Sequence, residues 1–318
     1  MWLNPHGFLN KEKEKKMDKK SNNYLSISCV LTGTDRLNIK ENQDSFETAI
    51  NKNLNIKAII IADGLGSFQY SGLASKVVVK SVKSQIENLK LKEKIDLKNI
   101  FKNSKLDLIS FTEKYKKRKK ITFDQENSFA TSLIVLIENE EYVNIGYVGN
   151  GAIWHIRGNF NHFNKSKYLP WNSMNYLNPH SIQNEFGKEA LYKLISISNN
   201  FEESIPTIIT INKDNIFFGD IFMICTDGIY SFDQVPIGKM KDNSIWIHGE
   251  KTMSLFYNQL NTFFTENSDK TDKKLKIIIK TYLQNLIKNK LIDDDSTIGL
   301  TISNKALQYQ KKFKECQL

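Results

Sequence analysis

Apolar positions along the chain follow two rhythms. Short apolar-rich runs stand at 24–31, 57–62, 129–137, 142–148, 152–157, 207–211, 221–225 and 297–302. Runs of this length, punctuated by Gly, Asp or Asn, predict strands, and the run Lys-Ala-Ile-Ile-Ile-Ala at 57–62 predicts a buried one. Longer stretches carry a helical period instead. Residues 71–91 place Val77, Val78, Val82, Ile86 and Leu89 at that spacing, and 97–115 repeat it through Ile100, Phe101, Leu108, Ile109 and Phe111. Residues 251–264 and 273–290 also read as helices. Polar turns are expected at 51–55 and, as a hairpin, at 138–141. The stretch 158–205, rich in Asn and aromatics, reads as an irregular insertion. Strands, two helices, many strands, two helices and a last strand make an α+β order, not an alternating βαβ one.

Composition narrows this picture. The 318 residues are 40% hydrophobic and include 19 Phe and 12 Tyr, enough for a sizeable core. The length suits one large domain, though it also allows two. No stretch approaches 18 consecutive apolar residues, so no membrane helix is expected. Residues 1–10 are too short and interrupted for a signal sequence. Cys29, Cys225 and Cys316 lie far apart, which favours a reducing, cytoplasmic setting without a disulfide framework. Cys225, in an apolar run, reads as inert core, and His155 as an ordinary strand residue.

The net charge of +10 is local: residues 1–20 carry +3, residues 114–120 carry +6 and residues 305–318 carry +3. The basic character therefore sits in two tails and one segment. The segment 114–120 reads as a solvated helix end or loop, or as an attractor for an acidic partner. No zinc-finger or other nucleic-acid signature accompanies it, so nucleic acid is not favoured as the partner. The division expected is a basic, disordered tail at 1–21, a catalytic domain at 22–304 and a basic tail at 305–318.

The chemistry concentrates at four acidic punctuation marks. These are Glu41-Asn42-Gln43-Asp44, Asp63-Gly64 after the buried run, Thr226-Asp227-Gly228 after the 221–225 run, and Asp293-Asp294-Asp295 before the last run. Alone, each Asp-Gly is an ordinary turn. Together, they place carboxylates at strand ends that a sheet could converge. Clustered carboxylates either shift their pKa or bind a cation, and all-oxygen sites suit Mg²⁺ or Mn²⁺. The five histidines show no metal-ligand spacing. Gly64-x-Gly66 lacks a third glycine at Gln69, which argues against a dinucleotide loop.

Six pieces in order resemble the type 2C metal-dependent protein phosphatases (the PPM family), most closely the bacterial branch with an Asn-Gln-Asp motif. They are Asn42-Gln43-Asp44, Ala62-Asp63-Gly64-Leu65-Gly66-Ser67, Phe129-Ala130-Thr131-Ser132, Gly149-Asn150-Gly151-Ala152, Thr226-Asp227-Gly228 and Asp294-Asp295-Ser296-Thr297. The resemblance covers roughly residues 24–303. It implies a β-sandwich flanked by helix pairs with two Mn²⁺ or Mg²⁺ ions at one edge. It also implies a Ser/Thr phosphoprotein phosphatase that hydrolyses phosphomonoesters with water. By resemblance, Asp63 bridges the ions, the Gly64 carbonyl touches one, and Asp227 and Asp294 hold the other. Asp44 joins directly or through water. Asp293 competes with Asp294. Asp63, Asp227 and Asp294 are the catalytic set, and the 158–205 insertion corresponds to the family's variable flap.

Three positions depart from the family pattern. Asn150 stands where many members have an Asp that helps bind a third ion, so a third ion is disfavoured. Leu65 replaces a His proposed as general acid in eukaryotic members. The phosphate-gripping Arg has no clear counterpart; Lys40 and Arg36 are the candidates. The expected partner is a phosphorylated protein, a Ser/Thr kinase or its target. The departures leave a second reading open, a weak or inactive phosphatase-like module that binds a phosphoprotein or regulatory partner. A third, binding of nucleic acid or an acidic surface through 114–120 and the tails, would weaken steeply with salt.

Overall fold

The computed structural model describes residues 25–31, 42–90, 94–120, 129–139, 141–159, 171–183, 189–198, 200–213, 218–230, 233–236, 246–266, 272–292, 294–303 and 306–307. The 1–21 tail, Arg36, Lys40, Asp293 and most of the 305–318 tail lie outside these residues.

The chain enters as strands β1 (Leu25–Leu31), β2 (Ser45–Asn51) and β3 (Ile56–Ala62), then helices α1 (Ser71–Glu87) and α2 (Leu97–Lys119). Next come β4 (Ala130–Thr131), β5 (Leu133–Glu138), β6 (Tyr142–Val148) and β7 (Ala152–Asn159). Four short strands follow, β8 (Trp171–Asn175), β9 (Ser181–Gln183), β10 (Glu189–Leu191) and β11 (Ile195–Ser196). The rest comprises β12 (Thr207–Asn212), β13 (Phe218–Cys225), β14 (Gln234–Pro236), β15 (Trp246–His248), α3 (Glu250–Glu266), α4 (Asp272–Lys288) and β16 (Ser296–Ile302).

Two five-stranded antiparallel sheets organise these elements, one in the order β1-β16-β13-β7-β8 and the other β12-β6-β5-β3-β2. The Ile-rich run of β3 shows why they stack. Ile59 and Ile61 meet Ile134, Leu136, Ile145, Phe222 and Ile224 between the sheets. Ile56, Ala58, Ile60 and Ala62 point the other way, onto Val78, Val82, Ile86 and Phe101 of α1 and α2. A strand covered on both faces has no use for polar alternation, so its run is unbroken. The outer face of the first sheet is covered likewise: Met223, Ile298 and Leu300 pack on Phe256, Phe263, Leu275 and Tyr282 of α3 and α4. The result is a helix–sheet–sheet–helix stack, the expected sandwich flanked by helix pairs.

The sheets approach closely at Gly299 of β16. A Cβ there would lie 2.4 Å from Cγ2 of Ile59 and 3.2 Å from Cγ1 of Ile224. One end of the sandwich is closed by buried charge. Asp220 Oδ1 takes hydrogen bonds from Arg157 Nε (2.6 Å) and His155 Nε2 (2.7 Å), and His155 stacks on Phe222 at 4.3 Å. Nearby, Lys213 Nζ pairs with Glu138 Oε1 at 2.8 Å and also donates to the Asn139 carbonyl. His155 is thus a strand residue with a defined ionic partner.

Several expectations shift. The stretch 158–205 is only partly an insertion: β7 runs on through Asn159, β8 extends the first large sheet, and β11 pairs with β4. The expected strand at 129–137 breaks into β4 and β5 at Ser132, which turns to meet Asp63. Strand β2, read as neither helix nor strand, is an edge strand. The basic segment 114–120 is the largely exposed C-terminal end of α2 and its cap, where the cations of the last turn lie against the helix C-terminus and Arg118 covers the Tyr115 ring at 5.9 Å. Among the described residues no helix is long and apolar enough to cross a membrane.

Gly299→Val should force the sheets apart and destabilise the fold by ~1–3 kcal/mol, measured by urea unfolding. Asp220→Asn should cost on the order of 3 kcal/mol near neutral pH. Burial pushes the Asp220 carboxyl up, but the hydrogen bonds from His155 and Arg157 prevail and hold it below its ordinary value of 3.8. Its contribution is therefore complete above about pH 4 and is lost as pH falls through the lowered value. The gap in melting temperature between wild type and Asp220→Asn should close in acid; a constant gap would contradict this account.

Candidate active site

Four aspartates end up at one rim of the sandwich because each sits where a central strand starts or stops. Asp44 immediately precedes β2 and Asp63 immediately follows β3, neighbours in one sheet. Asp227 lies just beyond β13, where it opens a short 3-10 turn, and Asp294 just before β16, neighbours in the other sheet. The apolar layer between the sheets thus sets how closely two pairs of carboxylates approach.

Asp44 is 5% exposed. Its Oδ2 accepts from Thr226 Oγ1 at 2.9 Å and Thr297 Oγ1 at 2.7 Å, hydroxyls at the adjoining ends of β13 and β16 in the opposite sheet. Those threonines hold each other too, Thr297 N donating to Thr226 Oγ1 at 2.9 Å. Asp44 Oδ1 has no hydrogen-bond partner among the described residues. Burial pushes the Asp44 carboxyl up to about 7, against hydrogen bonds with Asp63 and the two threonines.

Asp63 is gripped through its backbone. Its carbonyl accepts from Ser132 N and Thr131 Oγ1, both at 2.8 Å, and its N–H donates to Ser132 Oγ at 3.2 Å. Burial, then the charges of Asp44 and Asp227, push its carboxyl well above the ordinary range. Burial and Asp294 raise Asp227 as well. Asp63 and Asp227 still keep part of their surface open to solvent. The cluster is therefore three carboxyls, Asp44, Asp63 and Asp227, each made harder to ionise by burial and by its neighbours, with Asp294 beside them.

Within the triplet, the structure separates two roles. Asp294 acts electrostatically on both Asp63 and Asp227. Asp295 is 3% exposed and accepts from Gln43 N at 2.8 Å, tying the loop before β2 to the one before β16. The loops lie tight against each other: a Cβ on Gly228 would fall 2.0 Å from the Asp295 carbonyl oxygen. Gly64 is pressed as closely, a Cβ there meeting Ser71 backbone at 2.7 Å. Its N–H donates to the Gln43 carbonyl at 3.2 Å. Asn150 Nδ2 donates to Asp227 Oδ2 at 2.5 Å, so this amide offers the cluster a donor rather than a further negative charge.

Among the described residues, no three His, Cys, Asp or Glu side chains already enclose a metal-sized space. The carboxyls of Asp44 and Asp227 instead lie within hydrogen-bonding reach of Asp63. The chemistry of the set nonetheless fits a hard divalent cation. All its side-chain donors are oxygens, one buried oxygen has no donor, and like charge is concentrated.

An open cavity of about 590 Å³ is lined by Leu65, two residues after Asp63, by Ala130, and by Leu191, Tyr192, Leu194 and Glu203. None of the four aspartates lines it. Cys225, two residues from Asp227, is fully buried, and burial pushes its thiol far up, as expected of core. Sequence reasoning gave no role to Thr226, Thr297, Thr131, Ser132 or Asp295. Their partners lie up to 253 positions away, and only their place inside the six motif pieces marks them.

Comparison with known proteins agrees with this geometry. Residues 38–280 match the family described as protein phosphatase 2C. No functionally curated protein matches the sequence. Among solved structures, Stp1, a serine/threonine phosphatase from Staphylococcus aureus, shares 15% identity at a TM-score of 0.53 over 87% of this chain and 94% of its own. The S. agalactiae serine/threonine phosphatase shares 16% at 0.54 over 88% and 99%. The catalytic domain of the serine/threonine protein phosphatase PstP, in complex with two manganese ions, shares 12% at 0.50 over 88% and 98%. These structures share the fold. With the family match spanning most of its length, the chain belongs to the protein phosphatase 2C family and is a phosphoprotein phosphatase, a hydrolase.

Proposed function

We propose that the aspartate cluster hydrolyses phosphoserine and phosphothreonine in a protein substrate with two Mn²⁺ or Mg²⁺ ions. Asp63, the Gly64 carbonyl, Asp227 and Asp294 would hold the ions, and Asp44 would join directly or through water. The observation that carries this reading is the convergence of four aspartates from both sheets, with Asp44 Oδ1 left without a partner. The manganese ions bound by PstP support the same choice of metal. When bound, the ions would neutralise the phosphate and make a water a competent nucleophile for phosphorus.

The chain's own residues supply position. Thr226 and Thr297 fix one oxygen of Asp44, and no hydroxyl or N–H donor among the described residues bonds the other. Thr131 and Ser132 clamp the Asp63 backbone, so its side chain is aimed by β4 and β5 and not by a loose loop. A water oxygen gains the phosphorus, the ester oxygen leaves, and that oxygen must take a proton. Leu65 cannot give one, so the proton comes from solvent or from another residue. The cavity beside Leu65 would receive the protein segment that carries the phosphate. The substrate class is a phosphorylated protein, with a Ser/Thr kinase or its target as the partner. Retention of the whole aspartate set supports turnover over a module that only binds.

Asn150 bears on the number of ions. Its amide donates to Asp227, so a third ion would have to displace that bond and accept a neutral ligand. Two ions suffice in this reading.

Hydrolysis of a phosphothreonine peptide should require Mn²⁺ or Mg²⁺, stop with EDTA, and fall roughly 100-fold or more in Asp63→Asn, the scale for removing one group that stabilises developing charge. Full activity in that variant would refute the assignment. Asn150→Asp should lower the melting temperature without metal, through added like charge, and lower the Mn²⁺ concentration needed for half-maximal rate several-fold. An unchanged titration would make position 150 silent.

A further inference from the structure

His180 lies between β8 and β9, away from the aspartates, yet it is bonded to the turn that carries Asn150. Its backbone N–H donates to the Gly149 carbonyl at 3.0 Å, and the Gly149 N–H returns to His180 Nδ1 at 3.2 Å. On the other side of the ring, Nε2 stands 2.8 Å from Thr207 Oγ1 at the start of β12. The ring stacks on Tyr147 at 4.9 Å and meets the edge of Tyr192 at 5.9 Å. The His180 carbonyl accepts from Tyr192 N at 2.9 Å. One residue, 6% exposed, therefore joins β6, the 149–151 turn, β12 and the wall of the cavity.

The bonding pattern settles the state of the ring. A backbone N–H can only donate, so Nδ1 must be the bare nitrogen and Nε2 must carry the proton toward Thr207. Burial, with Lys193 close by, pushes His180 down to about 4, which keeps the ring neutral under ordinary conditions.

The turn held in this way touches the site twice. Gly149, at φ +94°, leaves no room for a side chain: a Cβ would lie 2.6 Å from Cβ of Ser132, the residue that clamps Asp63. The next residue, Asn150, places its amide on Asp227. A turn free to shift would take both contacts with it.

We propose that His180 is a positioning residue for hydrolysis: its Nδ1 bond to Gly149 fixes the 149–151 turn, and with it the Asn150 amide on Asp227 and the packing behind Asp63. This rests on the aspartate cluster being the catalytic site. Only the Nδ1 side of the ring is required, so two conservative replacements separate the contacts. In His180→Asn the side-chain oxygen reaches the place of Nδ1 and can still accept from Gly149. In His180→Gln the terminal amide reaches the place of Nε2 and can serve only Thr207.

The test compares wild type, His180→Asn, His180→Gln and Asp63→Asn with p-nitrophenyl phosphate, with melting temperatures alongside. His180→Gln should lose roughly 10- to 100-fold in kcat with little change in KM, the scale at which misplacement of about an ångström acts. His180→Asn should recover most of it. Exchange of the Gly149 amide with solvent should be slow in wild type and in His180→Asn, and fast in His180→Gln. Equal kcat in the two variants, or losses that track melting temperature alone, would overturn the proposal. So would a wild-type imidazole that long-range ¹H–¹⁵N spectra show protonated on Nδ1, whatever the variants do. Undiminished turnover by Asp63→Asn would instead mean that the catalytic site itself is misassigned.

Discussion

The burial of three carboxyls, Asp44, Asp63 and Asp227, in one cluster is what the rest of the architecture has to withstand. Isolated carboxylates would avoid such company, since burial and like charge both disfavour ionisation. Here they are brought together by elements that cannot easily yield. Asp44 is pinned by two threonine hydroxyls from the opposite sheet, and Asp63 by Thr131 and Ser132 at the break between β4 and β5. The apolar layer between the sheets, with Ile59, Ile61, Phe222 and Ile224 fully buried, holds the two pairs of strand ends at a fixed separation. A fold whose net stability is a small difference between large terms tolerates this strain only because it is confined to one rim.

The two rims of the sandwich use charge in opposite ways. At the far rim, acids meet cations: Asp220 meets Arg157 and is hydrogen-bonded to His155, and Glu138 meets Lys213 through Oε1. At the active rim, the acids face one another. The first arrangement ties β7, β13 and the end of β12 together through charge; the second, in the proposed reading, would be completed by a cation. The same strands carry both, since β13 begins near Asp220 and ends just before Asp227. A shift of β13 would therefore disturb both rims together.

Much of this was legible in the sequence wherever burial was strong. The runs at 57–62, 142–148 and 297–302 match β3, β6 and β16 to within a residue, because strands covered on both faces are rich in apolar residues. Strand β2 escaped notice because it is an edge strand whose Glu47 and Thr48 dilute the pattern. Strands β14 and β15, three residues each, are too short to carry a period. The aspartates could be found because strand-end acids are unusual punctuation. Their supports could not. Thr226 and Thr297 are ordinary residues until the fold brings them onto Asp44, and His180 stands in an Asn-rich stretch with nothing beside it in sequence to suggest a partner at Gly149.

Cys225 has a consequence for how the enzyme meets oxidants. It sits two residues from Asp227, yet it is fully buried and its thiol is held protonated. Peroxide attacks the thiolate, and attacks it where solvent can reach. A phosphatase whose nucleophile is a cysteine is silenced by that reaction. Here the groups that solvent reaches at the rim are carboxyls and an amide, and the neighbouring sulfur is both shielded and un-ionised. Oxidation of Cys225 would therefore not be the route by which peroxide reaches this rim, in contrast to enzymes whose nucleophile is itself a cysteine.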